Sequence, residues 1–364
     1  MASLDAFRGL TIAGMILVNN PGDWGHVYPP LRHAEWHGFT PTDLVFPSFL
    51  LIAGVAIPLA LGKRRARGES DGAILAKVFR RSLLIFALGL FLNAFPFDRP
   101  VSTLRVPGVL QRIALCYFAA ALIYLKTGWR AQAVGVAALL VGYWAVLTWV
   151  PVPGGRAGDL TRPNNLAAWV DRGLMPGHTY KADYDPEGLL STLPAIATTL
   201  IGVLAGHWLG SARRGAAERV AGVFAAGTVL LYAGWFWDSS FPVNKALWTS
   251  SFVLLTAGLS LQILGLCAWL IEIEGVKRWA WPFLAFGANP IAAYVLSGLG
   301  ARGLGMAKVA APGGEVALKT WIYQQGFASW ASPSAASFAY ASAYVLVWLL
   351  VMAVLYKLKV FIRL

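Results

Sequence analysis

The sequence predicts an all-α polytopic membrane protein with about ten transmembrane helices and both termini in the cytoplasm. Of the 364 residues, 57% are hydrophobic and only 13% are charged, whereas a soluble protein carries roughly 25% charged residues to cover its surface. Apolar runs of about 20 residues, the length that crosses a bilayer as a helix, recur from one end to the other. Because no polar linker divides the chain, we expect a single domain over residues 1–364.

Ten apolar segments are the candidate membrane spans. They cover residues 5–20, 43–62, 74–95, 106–125, 131–151, 190–210, 219–237, 245–271, 281–300 and 338–358. The first ends at Asn19-Asn20-Pro21 without a small-residue cleavage site. We therefore expect it to be a retained helix and not a removed signal peptide.

Basic residues between the spans predict the orientation. They form five groups: Lys63 to Arg67, Lys126 with Arg130, Arg213 and Arg214 with Arg219, Lys277-Arg278, and Lys357, Lys359 and Arg363. With ten spans, all five groups fall on one side, which the positive-inside rule makes the cytoplasmic side of the inner membrane. The positive-inside pattern of these short loops explains the formal net charge of +13, and we expect no binding of nucleic acid.

The loop after the first span is the densest polar cluster. It contains His26, His33 and His37, three of the five histidines in the chain. Imidazole is the side chain best suited to proton transfer near neutral pH, which favours a catalytic histidine. It is also a common metal ligand, so a zinc site that adds Glu35 is an alternative, and ordinary interfacial histidines are a third. The spacings match no standard zinc motif, and we expect no metal.

Thr40-Pro41-Thr42-Asp43 precedes the second span. Thr40 as N-cap, proline at the first helical position and a carboxylate three residues after the cap predict a helix start. The Asp43 carboxylate can also orient a neighbouring imidazole or hold a substrate ammonium group. These roles are compatible.

Other polar residues inside or near the spans have both structural and functional interpretations. Asp5 and Arg8 have a spacing that allows pairing on a helix, but Arg8 can instead meet a cofactor phosphate. Arg112, beside Gln111, is predicted to face a cavity because an intramembrane arginine avoids lipid. Asn289-Pro290 interrupts the ninth span, as a binding site or as a structural kink.

Acidic residues of the loop between the fifth and sixth spans are also candidates. Asp183, Asp185 and Glu187 can attract a cationic amino sugar to the outer surface. We expect most of them to be solvated.

Six ordered motifs extend over nearly the whole chain. They are Ser3-Leu-Asp-Ala-Phe-Arg-Gly9, Val18-Asn-Asn-Pro-Gly-Asp-Trp24, Leu31-Arg-His-Ala-Glu-Trp-His-Gly38, Thr42-Asp-Leu-Val-Phe-Pro47, Gly108-Val-Leu-Gln-Arg112 and Phe286-Gly-Ala-Asn-Pro290. In this order and spacing the chain resembles bacterial relatives of heparan-α-glucosaminide N-acetyltransferase, a family of transmembrane acyltransferases.

The resemblance implies that acetyl-CoA enters from the cytoplasm and that its acetyl group passes to a glucosamine amine across the membrane. It makes His33, in the His-Ala-x-Trp stretch, the catalytic histidine. We expect His33 to act as a general base, with Asp43 fixing its tautomer. Asn19, or less favourably Asn20, corresponds to the family asparagine after the first helix. We expect direct transfer in a ternary complex, with an acetyl-His33 intermediate as the alternative.

The remaining site residues are expected to bind the two substrates. The path of CoA is expected to be lined by Arg8, Gln111, Arg112 and Asn289. The amino sugar or amino-sugar-containing glycan is expected to meet Asp23, Trp24, Glu35, Trp36 and His37. From the resemblance alone, a homodimer is plausible.

Two other functions fit parts of the sequence. A secondary transporter of a small polar solute would also use about ten spans, a broken helix and an intramembrane arginine. The absence of a visible inverted repeat and the histidine cluster at one face argue against it. An O-acyltransferase of a cell-envelope glycan would share the mechanism and differ only in its acceptor.

Overall fold

The computed structural model describes residues 1–98, 100–311 and 314–362, and this part of the chain is largely helical. Arg363, which the orientation argument uses, lies outside the described residues. The helices, in chain order, are α1 (Ala2–Asn19), α2 (Val45–Ala66), α3 (Asp71–Ala94), α4 (Val109–Lys126), α5 (Trp129–Trp149), α6 (Leu166–Leu174), α7 (Thr192–Leu209), α8 (Ala216–Asp238), α9 (Ser250–Ala268), α10 (Trp281–Ala288), α11 (Pro290–Met306), α12 (Leu318–Tyr323) and α13 (Pro333–Lys357). A hairpin of β1 (Lys308–Ala311) and β2 (Gly314–Ala317) precedes α12.

Helices occupy every predicted span. Within the described residues, seven are long and apolar enough to cross a membrane, and the bent pair α10–α11 makes up to eight. Charged side chains lower the apolar character of the other two, α1 with Asp5 and Arg8, and α3 with three basic residues, Lys77, Arg80 and Arg81. The chain is thus an all-α multi-pass membrane protein, while the count of ten and the cytoplasmic termini stay predictions.

Two compact units make up the chain. The first contains residues 1–33, 40–45 and the described residues from Cys267 to Ile362, and the second contains residues 34–39 and 46–266.

In the first unit, α1 packs closely on α10 through glycines. A Cβ atom added at Gly9 would lie 1.7 Å from the Phe283 carbonyl oxygen, and one at Gly287 would lie 2.0 Å from the Asp5 carbonyl oxygen. Small residues allow such backbone contact between membrane helices. In lipid the hydrophobic effect does not drive helix association, so close van der Waals packing takes its place. The two backbones therefore define a rigid pair.

The ninth predicted span is broken where the sequence predicted an interruption. Asn289 ends α10 with φ −130° and ψ 54°, and Pro290 begins α11 after a bend of 75°. Proline suits the first helical position because its missing N–H would have no intrahelical partner there.

In the second unit, α2 and α7 make the equivalent close contact. Added Cβ atoms at Gly54 and Gly202 would lie 1.9 Å from the Thr199 carbonyl oxygen and 2.2 Å from the Leu51 carbonyl oxygen. Apolar side chains of α2, α3, α4 and α7 surround this contact in one buried cluster. The second unit thus has its own core.

Candidate functional site

The residues before α2 form a capped turn around a buried carboxylate. Pro41–Leu44 is a 3₁₀ turn, and the side chain of Asp43 has no exposed surface. Its Oδ2 atom accepts the Thr40 backbone N–H at 3.1 Å, while the Thr40 hydroxyl lies 2.6 Å from the Arg32 carbonyl oxygen and 3.0 Å from Oδ2. The predicted helix start at Thr40 is confirmed.

The second oxygen of Asp43 holds His33. The Nδ1 atom of His33 lies 2.7 Å from Asp43 Oδ1, and the His33 side chain is 48% exposed. Because a carboxylate only accepts hydrogen bonds, the Nδ1 atom carries the proton, and Nε2 holds the basic lone pair. The contact expected between these residues is present, and it gives His33 the tautomer that a general base requires.

A second histidine–carboxylate pair lies in the same loop but at the surface. His26 Nδ1 is 2.7 Å from Asp23 Oδ2, with the side chains 53% and 39% exposed. The hydrogen bond from His26, together with the Gly25 backbone N–H, lowers the pKa of the Asp23 carboxyl. Ser337 accepts the Asp23 N–H at 3.0 Å, and the neighbouring Trp24 is largely exposed.

His37 belongs to the second unit and has the opposite tautomer. The Asn244 Oδ1 atom accepts the Leu247 N–H, so its Nδ2 atom donates to His37 Nδ1, at 3.3 Å. Partial burial lowers the pKa of His37, against the raising effect of the Asp238 carboxylate, and this matches a neutral acceptor ring. Across the described part of the chain, no three His, Cys, Asp or Glu side chains are grouped to hold a metal.

Trp36 is held by the loop between α5 and α7. Its indole N–H donates to the Leu160 carbonyl at 2.9 Å, and its ring meets Tyr184 edge to face at 5.6 Å. The Arg162 guanidinium lies 5.3 Å from the Trp36 ring centroid and donates to the Glu35 carbonyl. Among the predicted substrate residues, Trp36 thus has a structural role, while the Glu35 side chain is exposed.

The two asparagines after α1 have different environments. Asn20 is buried and its Nδ2 atom donates to the Ile16 carbonyl at 2.7 Å, which caps the helix. Asn19, the last residue of α1, is exposed. The structural use of Asn20 leaves Asn19 as the better candidate for contact with a ligand.

Two predicted CoA-binding residues make protein contacts in the first unit. Arg8 Nη1 lies 2.9 Å from Asp5 Oδ1 and also donates to the Gly287 carbonyl, so the expected i,i+3 pair is present. The Asn289 side chain bonds the backbone of Val360 and Ile362. Neither contact tests a role in CoA binding.

Arg112 is fully buried in the second unit. Its Nη2 atom donates to the Gly188 carbonyl at 2.9 Å and to Ser191 Oγ at 2.5 Å, and its guanidinium lies 5.1 Å from the Trp248 ring centroid. Within the described residues, Nε and Nη1 of Arg112 and Nε2 of the buried Gln111 have no hydrogen-bond partner. Unpaired buried donors are costly, so this cluster is a candidate for contact with a polar ligand group.

Most of the acidic loop residues were expected to be solvated, but Asp185 and Glu187 are both covered. Arg105 binds Asp185 through two hydrogen bonds of 2.9 and 2.7 Å and also contacts Glu187, with Asp185 fully covered. Burial opposes the charge of Arg105, but both carboxylates raise its pKa overall. Burial also raises the pKa of the nearby Asp171 to about 6. Composition alone gives no signal for these long-range contacts.

The long apolar helices define a multi-pass membrane protein, and the loop before α2 pairs the half-exposed His33 with the buried Asp43 carboxylate. The chain belongs to the family described as "Heparan-alpha-glucosaminide N-acetyltransferase, catalytic", whose model matches residues 1–234.

Two curated relatives extend the similarity beyond that range. The chain is 28% identical to heparan-alpha-glucosaminide N-acetyltransferase of Homo sapiens over 354 residues, which cover 81% of this chain and 52% of the human protein. It is also 28% identical to the Mus musculus protein of the same name over 349 residues, which cover 80% of this chain and 52% of that protein. The chain spans about half the length of these relatives.

Proposed function

We propose that this protein transfers the acetyl group of acetyl-CoA to the amine of a glucosamine-type sugar on the opposite side of the inner membrane. The family and the names of the two relatives support the reaction class. The observation that carries the chemistry is the 2.7 Å contact between His33 Nδ1 and the buried Asp43. This contact leaves Nε2 as the basic atom of the ring.

The proposed step begins with an amino sugar bound beside Nε2 of His33. The amine attacks the thioester carbon as its proton moves to Nε2, and the Asp43 carboxylate stabilises the resulting imidazolium. The C–N bond forms, the C–S bond breaks, and the proton on Nε2 then passes to the CoA thiolate. Direct transfer in a ternary complex therefore returns His33 to its starting state.

Asn19 is proposed to stabilise the tetrahedral intermediate. Its exposed side-chain amide at the end of α1 can donate to the oxyanion, and removing one such donor typically costs about 3–4 kcal/mol of transition-state stabilisation. The buried Asn20 cannot do this without releasing the Ile16 carbonyl.

The remaining substrate contacts are assigned by exposure and unmet hydrogen bonds. Asp23 and Trp24 are exposed and suit an amino sugar, one by charge and the other by stacking. The unpaired donors of Arg112 and Gln111 suit polar atoms of the acyl donor. Arg8 is proposed to reach CoA only if Asp5 releases it.

The test uses purified protein in nanodiscs with radiolabelled acetyl-CoA and glucosamine. Wild type and the control variant His26→Ala should both yield labelled sugar, whereas His33→Ala should lose at least 100-fold in kcat/KM because the general base is gone. His26 is the matched control because it contacts an aspartate through the same ring atom at the same distance. Equal activity of His33→Ala and wild type would exclude His33 as the base.

The acceptor is tested with N-acetylglucosamine, which has hydroxyl groups but no free amine. Labelling of glucosamine alone supports N-acetyl transfer, whereas equal labelling of both sugars supports the O-acyltransferase. The 75° break between α10 and α11 also suits a transporter. Saturable solute flux into vesicles without any acetylated product would favour that function.

A further inference from the structure

An open cavity of about 350 Å³ lies in the first unit, where α10 begins and α13 ends. Its lining residues are Trp281, Tyr356, Lys357, Lys359 and Phe361. Three are aromatic and two are cationic, and none of these described lining residues is acidic. A volume of this size falls in the range of small-molecule sites.

The tail after α13 is held in place by the side chain of Asn289. Its Nδ2 atom donates to the Val360 carbonyl at 2.9 Å, and its Oδ1 atom accepts the Ile362 N–H at 2.7 Å. This amide therefore pairs with the tail as a neighbouring strand would. Because Val360 lies between Lys359 and Phe361, the clamp fixes the backbone that carries both lining side chains.

Lys359 has a backbone conformation that supports this arrangement. Its φ of 55° lies in the left-handed region, which residues with a Cβ atom adopt rarely and at some cost. The Lys359 N–H donates to the Tyr356 carbonyl and the Val360 N–H to the Leu355 carbonyl. The turn that brings the lysine back toward the cavity is thus set by hydrogen bonds on both sides.

The cavity chemistry matches a phosphorylated purine nucleotide. Aromatic side chains stack on bases whatever their sequence, and lysine ammonium groups bind phosphate as point charges. Lysines that only reached for lipid headgroups would explain the charge. Aromatic rings are also common at the ends of membrane helices, but neither feature would explain a tail fixed by a polar clamp from another helix.

We propose that this cavity binds the 3′-phosphorylated adenosine diphosphate end of CoA, with Asn289 as a positioning residue. The proposal rests on the proposed acetyl-CoA-dependent function and names where the donor is held. On the predicted topology this end of α13 is cytoplasmic, the side from which acetyl-CoA would enter.

Binding is measured first, with adenosine 3′,5′-bisphosphate as the probe and full-length protein in nanodiscs of neutral phosphatidylcholine. Wild type should bind the probe, and the double variant Lys357→Met/Lys359→Met should bind it at least tenfold more weakly. Lys277→Met, an exposed lysine of the same unit that does not line the cavity, should bind like wild type. Equal binding by wild type and the double variant would overturn the proposal.

Kinetics then compare acetyl-CoA with S-acetylpantetheine, which keeps the thioester but lacks the nucleotide. Wild type should have a much lower KM for acetyl-CoA than for S-acetylpantetheine. In the double lysine variant this advantage of acetyl-CoA should be lost. Asn289→Ala should raise the KM for acetyl-CoA at least fivefold with a kcat within twofold of wild type, as a positioning role requires. If the advantage of acetyl-CoA survives in the double variant, the nucleotide is held elsewhere.

Two further results separate the possible failures. Lysine-dependent binding of the bisphosphate without any acetyl transfer would support the nucleotide site while the proposed function fails. Lysine-dependent stabilisation by phosphatidylglycerol in the nanodisc, with no binding of the bisphosphate, would overturn the proposal in favour of a lipid headgroup.

Discussion

The exchange Asp43→Asn separates control of the His33 tautomer from capping of α2. In wild type, Oδ2 accepts the Thr40 N–H and Oδ1 lies 2.7 Å from His33 Nδ1. An asparagine has one oxygen, and the Thr40 N–H requires it at the Oδ2 position. Its NH₂ group then faces Nδ1, which must become the acceptor, so the ring proton moves to Nε2 and blocks the atom that should take the proton of the amine.

The expected loss follows from the lost general base. Proton transfer by a positioned side chain contributes about 10²- to 10⁴-fold, so kcat/KM should fall by that factor, or roughly 3–5 kcal/mol in the barrier. The Thr40 hydrogen bond survives the exchange, and the melting temperature should therefore stay close to that of wild type. Loss of activity without loss of stability would therefore indicate that the exchange changes the tautomer of His33.

The assay follows release of the CoA thiol together with radiolabelled acetyl in the sugar, and thermal unfolding is measured in the same nanodiscs. His26→Ala serves again as the control and should keep a kcat close to that of wild type. The reasoning is refuted if Asp43→Asn retains more than a tenth of wild-type kcat/KM. It is also refuted if the variant loses activity only in proportion to a loss of folded protein.

Two further predictions concern stability. Gly9→Ala should lower the free energy of unfolding by about 1–3 kcal/mol, because the new Cβ would lie 1.7 Å from the Phe283 carbonyl oxygen. Gly14→Ala on the same helix should have no such effect, because the nearest atom to its new Cβ is 3.9 Å away. Equal melting temperatures for the two variants would contradict this packing. The raised pKa of Asp171, about 6, means that the folded state holds this proton more tightly than the unfolded chain, so stability should fall as pH rises from 4 to 6, by up to about 3 kcal/mol. Asp171→Asn keeps an acceptor for the Leu189 N–H and should remove that part of the pH dependence in melting curves, whereas an unchanged slope would show that Asp171 is not its source.

Much of the fold was predictable because membrane helices have a strong local signal. Each of the ten predicted apolar segments contains helix, and Asn289-Pro290 marked the break because proline cannot continue the hydrogen-bond ladder. The start of α2 was also local, since Thr40, Pro41 and Asp43 lie within four residues. The same carboxylate then accounted for the contact with His33, ten residues away.

Contacts across long sequence separations were not predictable. Asp185 and Glu187 looked like solvated loop residues, yet Arg105, about 80 residues earlier, draws both into a covered ion pair. Asn289 was predicted to line the path of CoA, and nothing in the sequence predicted that its amide holds a tail more than 70 residues later. Such pairings depend on how helices pack, which hydropathy and residue spacing do not encode.

One oxygen of Asp43 accepts the Thr40 N–H and the other contacts His33. The need for both contacts restricts which amino acids can replace Asp43. Asparagine would still accept the Thr40 N–H through its one oxygen, so a screen for expression or thermal stability would score it as mild. It cannot also offer an acceptor to the imidazole, so a screen for turnover should reject it. Rankings of variants at this one position should therefore diverge between the two screens.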